Sequence, residues 1–132
     1  MGTHLVTQAG EESWGDQEMQ TADFGDERLN RRASLILNRL ADHPEASVPS
    51  AFQGWAETQG AYRFLSNPKV TSEKVLEPHR AATWERVRQF PVVLCVQDTT
   101  ELDFTGKQVK GSGPLTYSQA LGLYIHPTLA IT

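Results

Sequence analysis

The amino-acid sequence predicts an α+β fold in which a helical part comes first and an incomplete sheet follows. Two observations lead to this prediction. Apolar residues recur with a helical period between Leu29 and Leu40, and a continuous, β-branched-rich run at residues 92–96 then begins a part with the pattern of strands. The sheet is predicted to be incomplete because a strand buried on both faces needs covering helices, and none is predicted after residue 90.

Residues 1–22 are predicted to form an acidic and largely disordered leader. Seven acidic residues and no lysine or arginine precede Arg28, and the segment has no apolar periodicity. It lacks the cationic start and apolar run of a secretion signal, and no long apolar run occurs elsewhere, so neither secretion nor a membrane partner is expected. The single cysteine, Cys95, excludes an intramolecular disulfide and fits a reducing cytosol.

The helical part is predicted over residues 23–90, and its best-defined helix follows Asp26. At 100° per residue, five apolar side chains share one arc: Leu29, Ala33, Ile36, Leu37 and Leu40. Four arginines share the roughly opposite arc: Arg28, Arg31, Arg32 and Arg39. Asp26 is suited to the N-cap position and His43 with Pro44 to the stop. A short helix or turn is predicted at residues 50–60, and a longer helix from Thr71 to about residue 89, kinked or delayed by Pro78.

Three strands are predicted over residues 91–132. The first, residues 92–96, has the unbroken apolar run of a strand buried on both faces. The second is residues 102–104. The third runs from Leu121 to Ile131 with strict apolar alternation that only Pro127 interrupts, and it reaches the last residue without a stop signal.

Asp98 follows the first strand, where a carboxylate on a rigid backbone is suited to hold a divalent metal. An aspartate before two threonines is also common as a turn or cap residue, and position alone favours that interpretation, because one carboxylate cannot hold a catalytic metal pair. Asp103 is equally open between a second ligand and a solvent-facing strand residue. The four histidines show no metal-ligand spacing.

The arginines suggest contact with nucleic acid. The overall formal charge is −4, but residues 28–90 carry ten basic side chains against six acidic ones. The guanidinium fork matches phosphate geometry, so the arginine arc of the first helix could follow a phosphate backbone. A solvated face opposite a core stripe is the alternative. Arg63, between Tyr62 and Phe64, is open in the same way between a DNA contact and packing on aromatic rings.

Four stretches, taken together, resemble the DDE transposases of the transposon Tn-five type, within the insertion-sequence-four group. They are residues 24–28 (FGDER) with the arginine-rich helix, residues 60–68 (GAYRFLSNP), residues 96–100 (VQDTT), and residues 113–114 (GP) leading to residues 122–126 (GLYIH). The resemblance runs from about residue 23 to the last residue. The second and third stretches, in this order and about thirty residues apart, give it its specificity.

The resemblance implies a small helical domain that binds double-stranded DNA at transposon ends, followed by the start of a ribonuclease-H-like catalytic domain. The family's cleavage and strand transfer depend on Mg²⁺, with three carboxylates holding two metal ions. Asp98 matches the first of these carboxylates and is therefore the implied catalytic residue and metal ligand. Arg28, Arg32 and Arg63 match DNA-contacting positions, and the basic helix face adds Arg31 and Arg39 as DNA-binding candidates.

This sequence departs from the family pattern in its second half. The second Asp and the Glu of the triad, with a Tyr-Arg-Glu-Lys signature, have no counterpart, and Pro127 stands where relatives usually carry a small polar residue. We therefore expect a truncated transposase that binds transposon ends, holds no Mg²⁺ stably and cannot cut alone. Its expected location is the bacterial cytoplasm, at the nucleoid, with a full-length transposase as a further partner. The alternative is a small helical protein-interaction module without a nucleic-acid role.

Overall fold

Five helices precede five strands in a computed structural model of the 132-residue chain, which describes residues 12–117 and 119–132. The helices are α1 (Trp14–Glu18), α2 (Glu27–Asp42), α3 (Val48–Ala51), α4 (Gly54–Leu65) and α5 (Ser72–Val87). The strands are β1 (Leu94–Gln97), β2 (Thr100–Asp103), β3 (Gly113–Pro114), β4 (Leu121–Ile125) and β5 (Thr128–Ile131). The predicted α+β class is confirmed. The chain divides into two compact units, whose boundary lies between Glu85 and Arg86.

Helix α1 lies where the sequence predicted a disordered leader, and that prediction is wrong for residues 14–18. The Ser13 hydroxyl caps α1 by accepting a hydrogen bond from the Asp16 N–H. Asn38 of α2 holds the helix in place, because its Oδ1 accepts from the Gly15 N–H at 2.7 Å and its Nδ2 donates to the Ser13 hydroxyl at 2.7 Å. The predicted leader up to residue 11 lies outside the described residues.

Helix α2 begins and ends as predicted. Asp26 is its N-cap and accepts a hydrogen bond from the Arg28 N–H, and the helix ends at Asp42, before His43. Its apolar stripe packs into a core built around Phe24 and Phe64, whose rings meet edge to face with centroids 5.3 Å apart. Burial of these two aromatic side chains against α2 stabilises the helical unit.

A second core cluster joins α3 and α4 to the last turns of α2. Ala51, Phe52 and Ala61 are buried there, with Leu40 and Val48 packed against them. Gly54, at the start of α4, has a φ of 82°, a conformation that glycine adopts without strain. From there α4 continues without a break through Gly60 to Leu65, where the sequence had indicated a shorter helix or turn.

Helix α5 begins as predicted, with the Thr71 hydroxyl accepting from the Lys74 N–H at 3.3 Å, and it ends at Val87. Pro78 is buried inside it. On the next residue, the His79 Nδ1 pairs with the buried carboxylate of Glu18, which ties α5 to α1. None of the helices in the described residues is both long enough and apolar enough to cross a membrane.

The five strands of the second unit form two antiparallel sheets. One pairs β1 with β5, so that Val96 lies opposite Leu129, and the other has the order β2-β4-β3. The single third strand of the sequence-based prediction is therefore wrong. It is divided into β4 and β5 at His126 and Pro127, because proline has no N–H to donate to a continuing ladder.

Strand β1 was predicted to be buried on both faces, and this is also wrong. Leu94 is 62% exposed and Val96 50% exposed. Among the described strands β1 has one neighbour, β5, so its apolar run is paired along one edge and largely uncovered on its faces. The assignment of these strands to a ribonuclease-H-like sheet stays a prediction.

Candidate nucleic-acid interface

Three arginines, two from α2 and one from α4, line one open groove between these helices. The groove has a volume of about 310 Å³, and Arg28, Arg32 and Arg63 lie on its walls. Asp26 and Asn67 are the other polar residues that line it. We call this feature the arginine groove. It concentrates three permanent positive charges and one carboxylate around a space that is open to solvent.

The two helices place these arginines by simple geometry. Arg28 and Arg32 are four residues apart on α2, so they lie on the same face, one turn after the other. Arg63 is in the last turn of α4, next to the buried Phe64, which packs into the same core as Leu29 of α2. Packing of the core at Phe64 therefore brings the exposed Arg63 to the face that carries Arg28 and Arg32.

Arg32 lies directly over Gly60 of α4. A Cβ atom at position 60 would be 2.8 Å from the Cζ atom of the Arg32 guanidinium. Real Cβ atoms do not approach other atoms so closely, so the absence of a side chain at Gly60 is what allows the guanidinium to rest against α4. This contact gives Arg32 a defined position in the groove.

Arg28 is held by Asp26. The guanidinium donates from Nε to Oδ1 at 3.3 Å and from Nη2 to Oδ2 at 3.1 Å. The same carboxylate also accepts the Arg28 backbone N–H at 2.9 Å. The hydrogen bond from the Arg28 side chain is the main cause that lowers the pKa of Asp26, and the backbone hydrogen bond adds to it. Asp26 is thus ionised over the whole neutral range.

Arg39 has a different environment from the groove arginines. Its Nε and Nη2 donate to the two carboxylate oxygens of Glu57 at 2.9 and 3.0 Å, and both side chains are partly buried. Glu57 also accepts the Gln53 N–H at 2.9 Å, which caps the start of α4. The Arg39 hydrogen bonds, joined by the one from the Gln53 N–H, lower the pKa of Glu57 to about 2. Arg39 therefore joins α2 to α4 as part of an ion pair.

Arg31 lies outside the arginine groove. It lines a separate groove of about 470 Å³ between α1 and α2, together with Asp16 and Glu27. Its side chain is exposed. Of the five arginines that the sequence singles out, the structure brings three together and separates Arg31 and Arg39 from them.

A known family matches this part of the chain. Residues 11–70 match the family model of transposase DNA-binding. The matched segment contains helices α1 to α4 and every residue that lines the arginine groove. The match supports a transposase DNA-binding domain in the N-terminal part of the chain, with DNA as its partner. Membership of the insertion-sequence-four group and the start of a catalytic domain stay predictions.

Two features of the matched segment could not be found from the sequence. One is the close approach of Arg32 to Gly60, for which a glycine inside a helix is the only sequence signal. The other is an aromatic pair on the outer face of α4, where Trp55 is 73% and Tyr62 48% exposed. Trp55 lies in the segment predicted as a short helix or turn, and that pattern does not distinguish an exposed aromatic residue from a buried one.

Asp98 lies outside the family match, directly after β1, and is exposed. Its Oδ1 accepts the N–H of Thr99 at 2.8 Å. In the described parts of the chain no three His, Cys, Asp or Glu side chains come together in a way that could hold a metal ion. A single exposed carboxylate does not fit a pair of catalytic Mg²⁺ ions, because it cannot offset their mutual repulsion. The role of Asp98 as a metal ligand stays a prediction.

Proposed function

We propose that residues 23–90 bind double-stranded DNA at transposon ends and that the arginine groove contacts the phosphate backbone. The observation that carries this proposal is the convergence of Arg28, Arg32 and Arg63, from two helices, on one open groove. Guanidinium groups bind phosphate oxygens in a bidentate manner, and contacts to phosphates supply most of the affinity of such interfaces. The family match of residues 11–70 favours DNA over other polyanions.

The three groove arginines have distinct roles in this proposal. Arg32 is positioned in advance by its contact with Gly60, so it loses little conformational freedom on binding. Arg63 extends the basic surface to the end of α4. Arg28 contacts a phosphate once it has left Asp26. Arg39 contributes indirectly, because its ion pair with Glu57 fixes α4 against α2. Arg31 is a phosphate contact only if the DNA extends past the groove.

Recognition of a particular sequence requires contacts to base edges, and the outer face of α4 offers side chains for them. Trp55, Gln59 and Tyr62 share this face, and Arg63 lies at its border with the groove. A helix fits the major groove of B-DNA, where an amide can pair with adenine and an aromatic side chain can contact the thymine methyl group. We propose that α4 reads the transposon end while the groove arginines hold the adjoining phosphates.

DNA binding is tested by selecting bound molecules from a pool of random-sequence duplexes and then measuring fluorescence anisotropy with a selected duplex over a range of salt. We expect R32A and R63A each to weaken binding about tenfold and to reduce the slope of log Kd against log salt by about 0.9. R80A is the matched control. Arg80 is on α5, outside the groove, and pairs with Glu73 on the surface. A wild-type chain with no salt-sensitive binding would leave the protein-interaction module as the better interpretation.

For catalysis we propose that Asp98 is one ligand of a metal site that needs further carboxylates. The described residues do not bring such a set together. In this proposal the chain binds DNA without cutting it. The test is incubation with supercoiled plasmid and Mg²⁺. We expect no nicking by wild type and equal DNA affinity for D98N. Metal-dependent nicking that D98N abolishes would show a complete site and contradict the proposal.

Binding without cutting has a consequence for a full-length transposase that uses the same DNA ends. The chain would occupy ends that the enzyme needs, so we propose that the chain competes with the full-length transposase for these ends. Adding the chain to a transposition reaction of a full-length enzyme with the same end specificity should lower the yield in proportion to end occupancy. The R32A variant, which binds DNA weakly, should lower the yield much less.

A further inference from the structure

We propose that Asp26 is an internal competitor of DNA phosphate in the arginine groove and that it limits the affinity of the domain by holding Arg28 in the free protein. The inference rests on the proposed function of the groove and deepens it. It concerns how the DNA contact is regulated by a residue of the groove itself.

The bonds between Asp26 and Arg28 resemble those of a guanidinium with a phosphate. Both carboxylate oxygens are used, with Nε donating at 3.3 Å to one and Nη2 at 3.1 Å to the other. A phosphate group offers the same pair of oxygens to the same fork of donors. In the free protein, therefore, the carboxylate occupies the donors that the phosphate would use.

Arg28 is the groove arginine that is held in this way. Among the ion pairs of the described residues, the one that involves a groove arginine joins Arg28 to Asp26. Arg32 rests on the backbone at Gly60. The described structure thus shows two groove arginines without a carboxylate at ion-pair distance, although the charge of Arg32 acts on Glu57 from farther away, and one that must exchange its partner when DNA binds.

The exposure of the pair allows this exchange. The Arg28 side chain is 84% exposed and that of Asp26 is 27% exposed. Exposed ion pairs are weak because water and salt screen them, so a phosphate can replace the carboxylate. After the exchange Asp26 remains in the groove as a negative charge beside the bound phosphate. Its own favourable contacts are then the Arg28 backbone N–H and the nearby charge of Lys69.

The N-cap role of Asp26 explains how a residue that opposes DNA binding can still be required by the fold. Its Oδ1 accepts the Arg28 N–H in the first turn of α2. Asparagine caps helices about as well as aspartate, because its amide oxygen accepts the same hydrogen bond. D26N should therefore keep α2 intact while it frees Arg28 and removes the negative charge. This substitution separates the effect on the fold from the effect on DNA binding.

The experiment compares wild type, D26N and the control E27Q in anisotropy titrations with a random-sequence duplex at low salt. E27Q removes one negative charge from the adjacent residue, whose side chain lines the other groove, beside Arg31. We expect D26N to lower Kd about three- to tenfold and E27Q to lower it less than twofold. The Tm of D26N should stay within about two degrees of wild type.

A second pair of variants tests whether the effect acts through Arg28. In the R28A background D26N should lower Kd by clearly less than it does in the wild-type background, because there is no guanidinium to release. Equal gains in both backgrounds would show a general charge effect and overturn the inference. D26S, which also provides a neutral cap, replaces D26N if that variant does not fold.

The outcomes separate this inference from the function on which it rests. Wild-type binding together with an unchanged or higher Kd for D26N would overturn the role of Asp26 and leave DNA binding intact. Absence of DNA binding in every variant, with all of them folded, would overturn the proposed function and this inference with it. Equal gains from D26N and E27Q would also overturn the inference.

Discussion

The contact between Arg32 and Gly60 predicts that one substitution raises stability and lowers DNA affinity. In G60A the new Cβ would lie 2.8 Å from the Arg32 Cζ, so the guanidinium must move. The displaced group is the far end of a flexible side chain, and its movement costs little. Alanine is better than glycine inside a helix by about 1 kcal/mol. Helix α4 should therefore become more stable while the groove loses an ordered arginine.

The expected magnitudes follow from these two effects. A gain of about 1 kcal/mol corresponds to a rise in Tm of roughly 4–8 °C for a domain of this size. Displacement of Arg32 should remove most of one phosphate contact and raise Kd about five- to tenfold. Circular dichroism melting and fluorescence anisotropy measure the two quantities on the same sample. The variant pair G60A and G60A/R32A should have similar Kd values, because the second change removes a group that is already displaced.

Two results would refute this reasoning. A G60A variant with a lower Tm would show that the space above Gly60 cannot adjust, and the loss of affinity would then be a folding defect. A G60A variant with a higher Tm and unchanged Kd would show that Arg32 either keeps its position or does not contact DNA. R32A alone distinguishes these two explanations, since it removes the guanidinium without adding an atom to α4.

Three further predictions concern the fold. E57Q should lower the free energy of unfolding at neutral pH by about 1–2 kcal/mol, a value reduced for solvent screening. Because folding lowers the pKa of Glu57 from 4.5 to about 2, this contribution is present above about pH 4.5 and is lost as the pH falls toward 2. The stabilities of wild type and E57Q in urea unfolding should therefore converge near pH 2. G15A should destabilise the docking of α1 by about 1–3 kcal/mol, because its Cβ would lie 2.8 Å from the Ser34 carbonyl oxygen. Faster amide hydrogen exchange in α1 is the expected result, and unchanged exchange would contradict the contact. G122A should break the pairing of β2 with β4, because its Cβ would lie 2.9 Å from the Leu102 carbonyl carbon. Loss of strand signal in circular dichroism is the expected result, and a retained strand spectrum would contradict the prediction.

Elements with strong local signals were predicted correctly. Helix α2 has sixteen residues, an apolar stripe from Leu29 to Leu40 and a good N-cap in Asp26, so pattern and capping agree. Helix α1 has five residues, too few to show a period, and it is held by Asn38, which lies 23 residues after Gly15 in the chain. Hydrogen bonds between residues so far apart in the chain leave no local pattern, so α1 could not be predicted from its own residues.

The candidate site shows the same distinction between local and long-range information. Helical spacing places Arg28 and Arg32 on one face, and the structure agrees. The same spacing places Arg39 on the basic arc, but the position of Glu57, eighteen residues later, commits Arg39 to an ion pair. The division of the last predicted strand at Pro127 could have been anticipated from its missing N–H, whereas the choice of partner strands depends on pairing across the whole unit.

The most direct test of the arginine groove is charge reversal at its three arginines. The variant R28E/R32E/R63E should keep the helical circular dichroism spectrum and lose salt-sensitive binding to a selected duplex, with Kd raised at least about a hundredfold. A control with Lys74, Arg80 and Lys110 changed to Glu carries the same net charge and should retain most of the affinity. A folded groove variant that binds as tightly as wild type would show that DNA is recognised on another surface.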